Sequence, residues 1–197
     1  MYKKYFKRIF DITFALVFLP LVLTVIAICG LLIKLEDGGP IFYLSDRLGK
    51  NKRTFKMYKL RSMKVNAPDI RNKDGSTFNS NSDPRLTKIG KIIRNTSLDE
   101  LPQILNVLIG DMSFIGPRPD LPEHINYYSA NEIRKLEVLP GISGYNQAYF
   151  RNSTEWKDRL KNDVFYIDNI SLFLDIKILF KTIRSILFRR GIYVSKI

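Results

Sequence analysis

Apolar residues run almost without interruption from Ile9 to Ile33, with Asp11 the only charge inside the run and Lys3, Lys4, Lys7 and Arg8 ahead of it. At about 1.5 Å per residue a helix of this length reaches roughly 37 Å, more than the ~30 Å hydrocarbon core of a bilayer. The run is longer than a signal-peptide core, and no small-x-small cleavage site follows it. Two residues argue against a plain span. Pro20, near the middle, removes a backbone hydrogen bond and bends a helix. Asp11 is costly in hydrocarbon unless it stays near the interface or pairs, with Lys7 and Arg8 the nearest candidates. The positive flank favours a cytoplasmic N-terminus. A full span would then export residues 34–197. A bent, re-entrant helix would return both ends to the cytosol, and a buried core helix is the third possibility. The apolar pattern by itself leaves the three open.

Beyond this run the pattern changes period. Glu36 to Pro40 reads as a turn, Ile41 to Leu44 as a short strand and Asp46 to Asn51 as a second turn. Phe55 to Arg61 alternates apolar with basic residues, so residues 41–61 predict a small β-hairpin. Residues 66–84 are polar and read as a loop. Leu86, Ile89, Ile92 and Ile93 fall at helical spacing and predict a helix over Arg85–Arg94, with Asp83 as its N-cap. Residues 101–109 continue as an apolar helix, 121–138 predict a further helix, Pro140 to Gly144 a turn, and Trp156 to Ile167 another helix. The stretch Ser171–Arg190 carries Leu172, Phe173, Ile176, Leu179, Phe180, Ile183, Ile186 and Leu187 near i, i+3, i+4, i+7 spacing. Lys177, Lys181, Arg184, Arg189 and Arg190 fill other positions. Such a basic amphipathic helix either lies in the membrane interface or docks on the domain core.

Composition narrows the chemistry. The 197 residues suit one domain plus a short appendage. A net charge of +13 calls for an anionic partner: nucleic acid, anionic lipid or a phosphorylated substrate. Cys29 and His124 are each the only residue of their kind, which excludes a disulfide framework, a thiolate metal site and His-based metal chemistry. Catalysis must lean on carboxylates, Lys, Arg, Ser or Tyr. Gly38, Gly39, Gly141 and Gly144 form no phosphate-binding loop or dinucleotide fingerprint. No helix-turn-helix, zinc or RNA-recognition signature supports nucleic-acid binding.

The candidate chemistry concentrates in residues 97–119. Asp99 and Glu100 are adjacent carboxylates that follow a basic stretch, and Gly116-Pro117-Arg118-Pro119 presents an Arg from a stiff turn. A carboxylate can attack phosphorus to give an acyl-phosphate intermediate, and an oxygen-seeking cation such as Mg²⁺ would neutralise the phosphate. The plainer alternative is capping: Ser97-x-x-Glu100 fits a capping box at a helix start. Pro102 favours a helix that begins later, near Leu101, with the carboxylates at its mouth. Arg94 and Arg118 suit phosphate because a guanidinium fork binds two oxygens, while Lys88 and Lys91 read as solvated charges.

These segments together resemble the bacterial sugar transferase family, the monotopic phosphoglycosyl transferases. The likeness includes Lys7-Arg8-x-Phe10-Asp11, Gly39-Pro40-Ile41-Phe42, Arg47-x-Gly49 and Phe55 to Met63. It continues through Asp83-Pro84-Arg85-x-Thr87-Lys88-x-Gly90, residues 97–119 and Pro140 to Gly144. The resemblance implies an α+β, mainly helical protein: a re-entrant membrane helix over residues 1–35, bent at Pro20, then a compact cytosolic catalytic domain over 36–197 with a small β-hairpin and amphipathic interfacial helices. It implies transfer of a sugar phosphate from a UDP-sugar to undecaprenyl phosphate, with release of UMP, at the cytoplasmic face of the bacterial inner membrane. Membrane lipids and downstream glycosyltransferases are then the further partners, with no nucleic acid. Carried over residue by residue, Asp99 is the nucleophile and the Mg²⁺ ligand, and Glu100 is its dyad partner. Lys59, Arg94, Arg118 and Arg151 are the phosphate- or substrate-binding residues. The chain departs from the family at two places. The family's Ser-Pro break lies about one turn beyond Pro20, where Leu23-Thr24 stands here. The family's Gly-x-Ala-Gln-Val-Asn-Gly-Arg is Gly144-Tyr145-Asn146-Gln147-Ala148-Tyr149-Phe150-Arg151, a divergence that bears on the choice of sugar. A membrane-tethered basic adaptor without catalysis, and a hydrolase that uses water as acceptor, are the alternatives to test.

Overall fold

Helix α1 (Lys7–Asp37) carries the whole apolar run and is entered through a short π-helical lead, Tyr2–Phe6. The computed structural model describes residues 1–70, 83–150 and 154–188, with Phe78 and Ser80. α1 holds Pro20 inside it and ends at Gly38, whose φ of +70° is open to glycine at little cost and lets its N–H close on the Lys34 carbonyl. By length and composition α1 could cross a membrane.

Its buried residues, Asp11, Ala15, Val22, Ile26, Cys29, Gly30 and Ile33, form one stripe at helical spacing. That stripe belongs to the main core, together with Phe55, Met57, Leu60, Ile93, Ile104, Val107 and Met112. The remaining surface of α1, including Ile9, Leu16, Val17, Leu21, Leu31 and Leu35, is apolar and exposed. The helix is therefore docked along one face and uncovered on the others.

Polar contacts tie both of its ends to the same domain. At the start, the Arg8 guanidinium donates to the carbonyls of Val107 and Leu108 at 2.6 and 3.2 Å, and Asp11 accepts the Phe114 N–H at 3.1 Å. At the end, Glu36 accepts the N–H groups of Lys88 and Ile89 at 2.7 and 3.1 Å, and Asp37 receives the forked guanidinium of Arg61. Asp11 thus takes its hydrogen bond from a backbone amide, while the nearby Lys7 and Arg8 charges act on it without one. Lys7 instead bonds Asp175 at 2.6 Å.

The hairpin follows the alternation. β1 (Phe42–Leu48) and β2 (Thr54–Leu60) pair antiparallel, from Phe42 opposite Leu60 to Leu48 opposite Thr54. α2 (Lys88–Asn95) is shorter than predicted and is capped by Thr87, whose hydroxyl accepts the Gly90 N–H at 2.9 Å. Asp83 is not its cap. It closes a local turn on the Arg85 N–H and takes the Arg85 guanidinium as well, and α2 begins five residues later, beyond the Asp83 carboxylate. α3 (Gln103–Ile109) follows Pro102.

The expected helix over 121–138 is two 3₁₀ segments, Pro122–Tyr127 and Glu132–Glu137. Ser129 and Glu132 exchange backbone and side-chain hydrogen bonds at 2.7 and 3.3 Å, a capping box that starts a new helical turn and ends the old one. The expected turn at 140–144 contains β4 (Gly141–Ser143), which pairs in parallel with β3 (Ser113–Ile115). Three residues are too few for periodicity to reveal a strand.

α4 (Tyr145–Tyr149), α5 (Trp156–Asp168) and α6 (Leu172–Leu187) complete the fold. α6 buries Asp175 and Ile178 and leaves Leu172, Phe173, Ile176, Leu179, Phe180 and Ile183 exposed. It docks by a narrow edge and presents a second apolar face. Arg189 and Arg190, expected at its end, lie outside the described residues. The protein is mainly helical with a small hairpin sheet, as the pattern predicts.

Candidate active site

The two carboxylates owe their position to a break in the helix. After α2 the chain turns through Ser97, which adopts a left-handed conformation with φ of +58°, into a single 3₁₀ turn, Leu98–Glu100. Ser97 makes no side-chain cap there, so the capping-box alternative for Glu100 does not form. Leu98 and Leu101 pack on the main core on either side of the pair. Apolar burial therefore holds the turn, and the carboxylates are free of a capping duty.

Asp99 and Glu100 have opposite surroundings. Asp99 is only 8 % exposed, and its carboxylate takes no hydrogen bond or ion pair from the side chains of the described residues. Glu100 lies 2.8 Å from the Lys59 ammonium and 3.9 Å from the Arg118 guanidinium. Burial pushes Asp99 up to about 6, the neighbouring Glu100 charge reinforces this, and Lys59 and Arg94 oppose it. Burial also resists ionisation of Glu100, but Lys59, Arg118 and Arg94 outweigh it and hold that carboxyl below the usual range. Glu100 is thus the charged partner, and Asp99 keeps its proton longest and ionises just below neutrality.

Arg94 contributes an orphan donor. Its Nη1 is shielded from solvent and has no hydrogen-bond partner among the described residues. A buried donor without an acceptor costs free energy until an anion supplies one. Arg118, by contrast, is half exposed on a braced turn. The Gly116 N–H donates to the Ser143 carbonyl and the Gly141 N–H to the Pro117 carbonyl, each at 2.9 Å.

The structure thus brings together Asp99, Glu100, Lys59, Arg94 and Arg118, which are spread over some sixty positions of sequence. Arg151 lies outside the described residues, and Pro20 belongs to α1. Sequence reasoning missed Asn106, which is fully buried inside the apolar helix α3. Its side chain accepts the Tyr58 N–H at 3.0 Å and donates to the Lys56 carbonyl at 2.8 Å, fixing β2, and with it Lys59, against α3. An Asn in the middle of an apolar helical face was the available signal. Among the described residues no three His, Cys, Asp or Glu side chains gather into a metal cage.

A sequence model of the bacterial sugar transferases matches residues 2–189, which takes in α1, the carboxylate turn, the Pro-Arg-Pro turn and α6. The chain belongs to the bacterial sugar transferase family. It is 41 % identical over 186 residues to the uncharacterized sugar transferase EpsL of Bacillus subtilis, covering 94 % of this chain and 89 % of that one. It is 41 % identical over 193 residues to the UDP-N-acetylgalactosamine-undecaprenyl-phosphate N-acetylgalactosaminephosphotransferase of Aeromonas hydrophila, covering 93 % of this chain and 44 % of that one. It is 37 % identical over 206 residues to the undecaprenyl-phosphate galactose phosphotransferase of Salmonella typhimurium, covering 96 % and 42 %. This sugar transferase thus spans most of EpsL but less than half the length of the two relatives named for their reactions. Its apolar N-terminal helix fits membrane association.

Proposed function

We propose that this sugar transferase moves a sugar-1-phosphate from a UDP-sugar to undecaprenyl phosphate and releases UMP, through a covalent intermediate on Asp99, as an early membrane step in making a bacterial polysaccharide or glycoconjugate. The names of the Aeromonas and Salmonella relatives support the two substrates. The observation that carries the reading is a buried carboxylate, Asp99, that no side chain of the described residues hydrogen-bonds and that lies near the Lys59 and Arg94 cations, the latter with an unsatisfied buried donor.

Each residue has a part in such a transfer. The Asp99 carboxylate attacks the sugar-linked phosphorus of the diphosphate. The P–O bond to the UMP phosphate breaks, and UMP leaves with the electron pair. Arg94 and Arg118 supply the donors that hold phosphate oxygens through both displacements. Lys59 neutralises Glu100, so the site does not repel the incoming dianion. An oxygen of the lipid phosphate then attacks the same phosphorus and expels Asp99, which restores the enzyme. Asp99 would be the protein ligand of a Mg²⁺ ion, which takes only one or two carboxylates and would neutralise phosphate oxygens when bound. The expected result is UMP release from a UDP-sugar that depends on added Mg²⁺ and, beyond one equivalent per enzyme, on added undecaprenyl phosphate. A UDP-sugar panel with UMP detection measures it. Repeated release, beyond one equivalent per enzyme, with water as the only acceptor would identify a hydrolase instead.

The same reading places α1 as a re-entrant element, with the catalytic domain on the cytoplasmic face of the inner membrane. Both ends of α1 are tied to one domain, while its outer faces and one face of α6 are apolar. A helix fastened in this way embeds sideways in one leaflet more readily than it crosses two. Single cysteines placed at Lys3 and at Lys50, with Cys29 replaced, are both expected to react only from the cytoplasmic side of sealed vesicles. Labelling of the Lys50 site from the opposite side would overturn the topology.

A further inference from the structure

We infer that Lys135 is a positioning residue for Arg118, acting through the buried pair of carboxylates that it bridges; this rests on the proposed contact of Arg118 with substrate phosphate. Lys135 lies in the 3₁₀ segment Glu132–Glu137 and is 4 % exposed. Its ammonium stands 2.7 Å from a carboxylate oxygen of Asp120 and 2.7 Å from one of Asp163. Asp163 is 2 % exposed and comes from α5. Asp120 follows Pro119 directly, so its side chain anchors the Pro-Arg-Pro turn one residue beyond the turn's end. Tyr128 donates its hydroxyl to the same Asp120 oxygen at 2.7 Å, and the Asp120 carbonyl accepts the Leu48 N–H from the end of β1 at 2.8 Å.

The Pro-Arg-Pro turn is therefore held from both sides. Backbone hydrogen bonds to β4 hold Gly116 and Pro117, and the lysine bridge holds Asp120. Arg118 lies between these anchors. Its own guanidinium is half exposed and only 3.9 Å from Glu100, too long for a hydrogen bond, so its direction depends on its backbone. Burying three charges adds little net stability compared with apolar side chains of the same volume. What the bridge does fix is the relation of the turn to α5 and to the 3₁₀ segment, and thus where the Arg118 fork can reach.

The test is a double-mutant cycle on the full chain in detergent, with UMP as the probe and calorimetry as the readout. Lys135→Met combined with Asp163→Asn removes the bridge without leaving Asp163 as an unpaired charge. Circular dichroism and thermal melting establish that each variant is folded. The combined variant is expected to weaken UMP binding by about tenfold in the wild-type background and by less than about twofold in an Arg118→Ala background, as for residues that act as one unit. Equal weakening in both backgrounds would show a merely structural role and overturn the inference, as would no weakening in the wild-type background. If the combined variant does not fold, Asp120→Asn takes its place in the same cycle, because it breaks the bridge at the turn and keeps a group to accept the Tyr128 hydroxyl. If Arg118→Ala alone leaves UMP affinity unchanged, the assignment of Arg118 to phosphate fails, and the inference fails with it.

Discussion

Asp99→Asn is expected to lower turnover by at least about 10³-fold, the scale of losing a covalent nucleophile, and to make the metal-free protein more stable at neutral pH. Both effects have one cause. A buried carboxylate that takes no hydrogen bond or ion pair from the side chains of the described residues is open to attack phosphorus, and for the same reason its charge is a burden on the fold. Its pKa is raised in the folded state, from an ordinary 3.8 to about 6. The ionised side chain therefore costs nothing below about pH 4, where it is protonated in both folded and unfolded chains. The cost appears as pH rises toward 6 and stays constant above, reaching up to about 3 kcal/mol. The amide carries no charge at any pH, so the stability gap between variant and wild type opens across this window. Thermal melts in EDTA at pH 4 and pH 7.5 measure the gap, and a UMP-release assay measures the loss of turnover. Mass spectrometry after exposure to a UDP-sugar, without lipid phosphate, is expected to find an added sugar phosphate on the wild type and none on the variant. An Asp99→Asn protein that turns over at the wild-type rate would end the nucleophile assignment.

Gly141→Ala is expected to be a strongly damaging single-methyl change at the Pro-Arg-Pro turn. A Cβ at Gly141 would fall 2.1 Å from the Gly116 nitrogen, 2.3 Å from the Ser143 oxygen and 2.7 Å from the Gly116 Cα. All three are backbone atoms, so no rotamer change relieves the contact. β3 and β4 must separate, and with them go the Gly116 to Ser143 and Gly141 to Pro117 hydrogen bonds that hold the Pro-Arg-Pro turn. Overpacking of this kind with lost buried hydrogen bonds costs about 2–4 kcal/mol, or roughly 5–15 °C in Tm for a chain of this size. UMP affinity is expected to fall with it, because Arg118 loses its support. A melting temperature within about 2 °C of wild type would show that the strands separate without cost and that the turn is braced elsewhere.

Both predictions turn on contacts that local patterning does not contain. The long apolar run, the hairpin, α3, α5 and α6 were legible because their signals repeat within the element: a period near 3.6 for helices and 2 for strands. Asp99, Glu100, Arg94 and Arg118 were legible as chemistry, since two acids and a stiffened Arg turn lie within a short span. Their roles were not, because a Ser-x-x-Glu spacing fits a cap equally well. Only the left-handed Ser97 and the packing of Leu98 and Leu101 on the core remove the cap and bury Asp99. The parallel pairing of β3 with β4, the split of residues 121–138 at a capping box, and the Lys135 bridge join positions far apart or rest on three-residue elements without periodicity.

By itself, the amino-acid sequence determined the long apolar first helix, the order of the periodic elements, the strong positive charge and the identity of the acids and bases available for chemistry. These follow from side-chain type and from repeats shorter than a single element. The tertiary structure decided which of those groups meet: Asp11 with an amide 103 residues away, Lys59 with Glu100 across 41, and Asp99 with no side-chain hydrogen bond among the described residues. Burial and the field of distant charges are properties of the packed chain, and they set which of two adjacent carboxylates stays ionised and which keeps its proton longer.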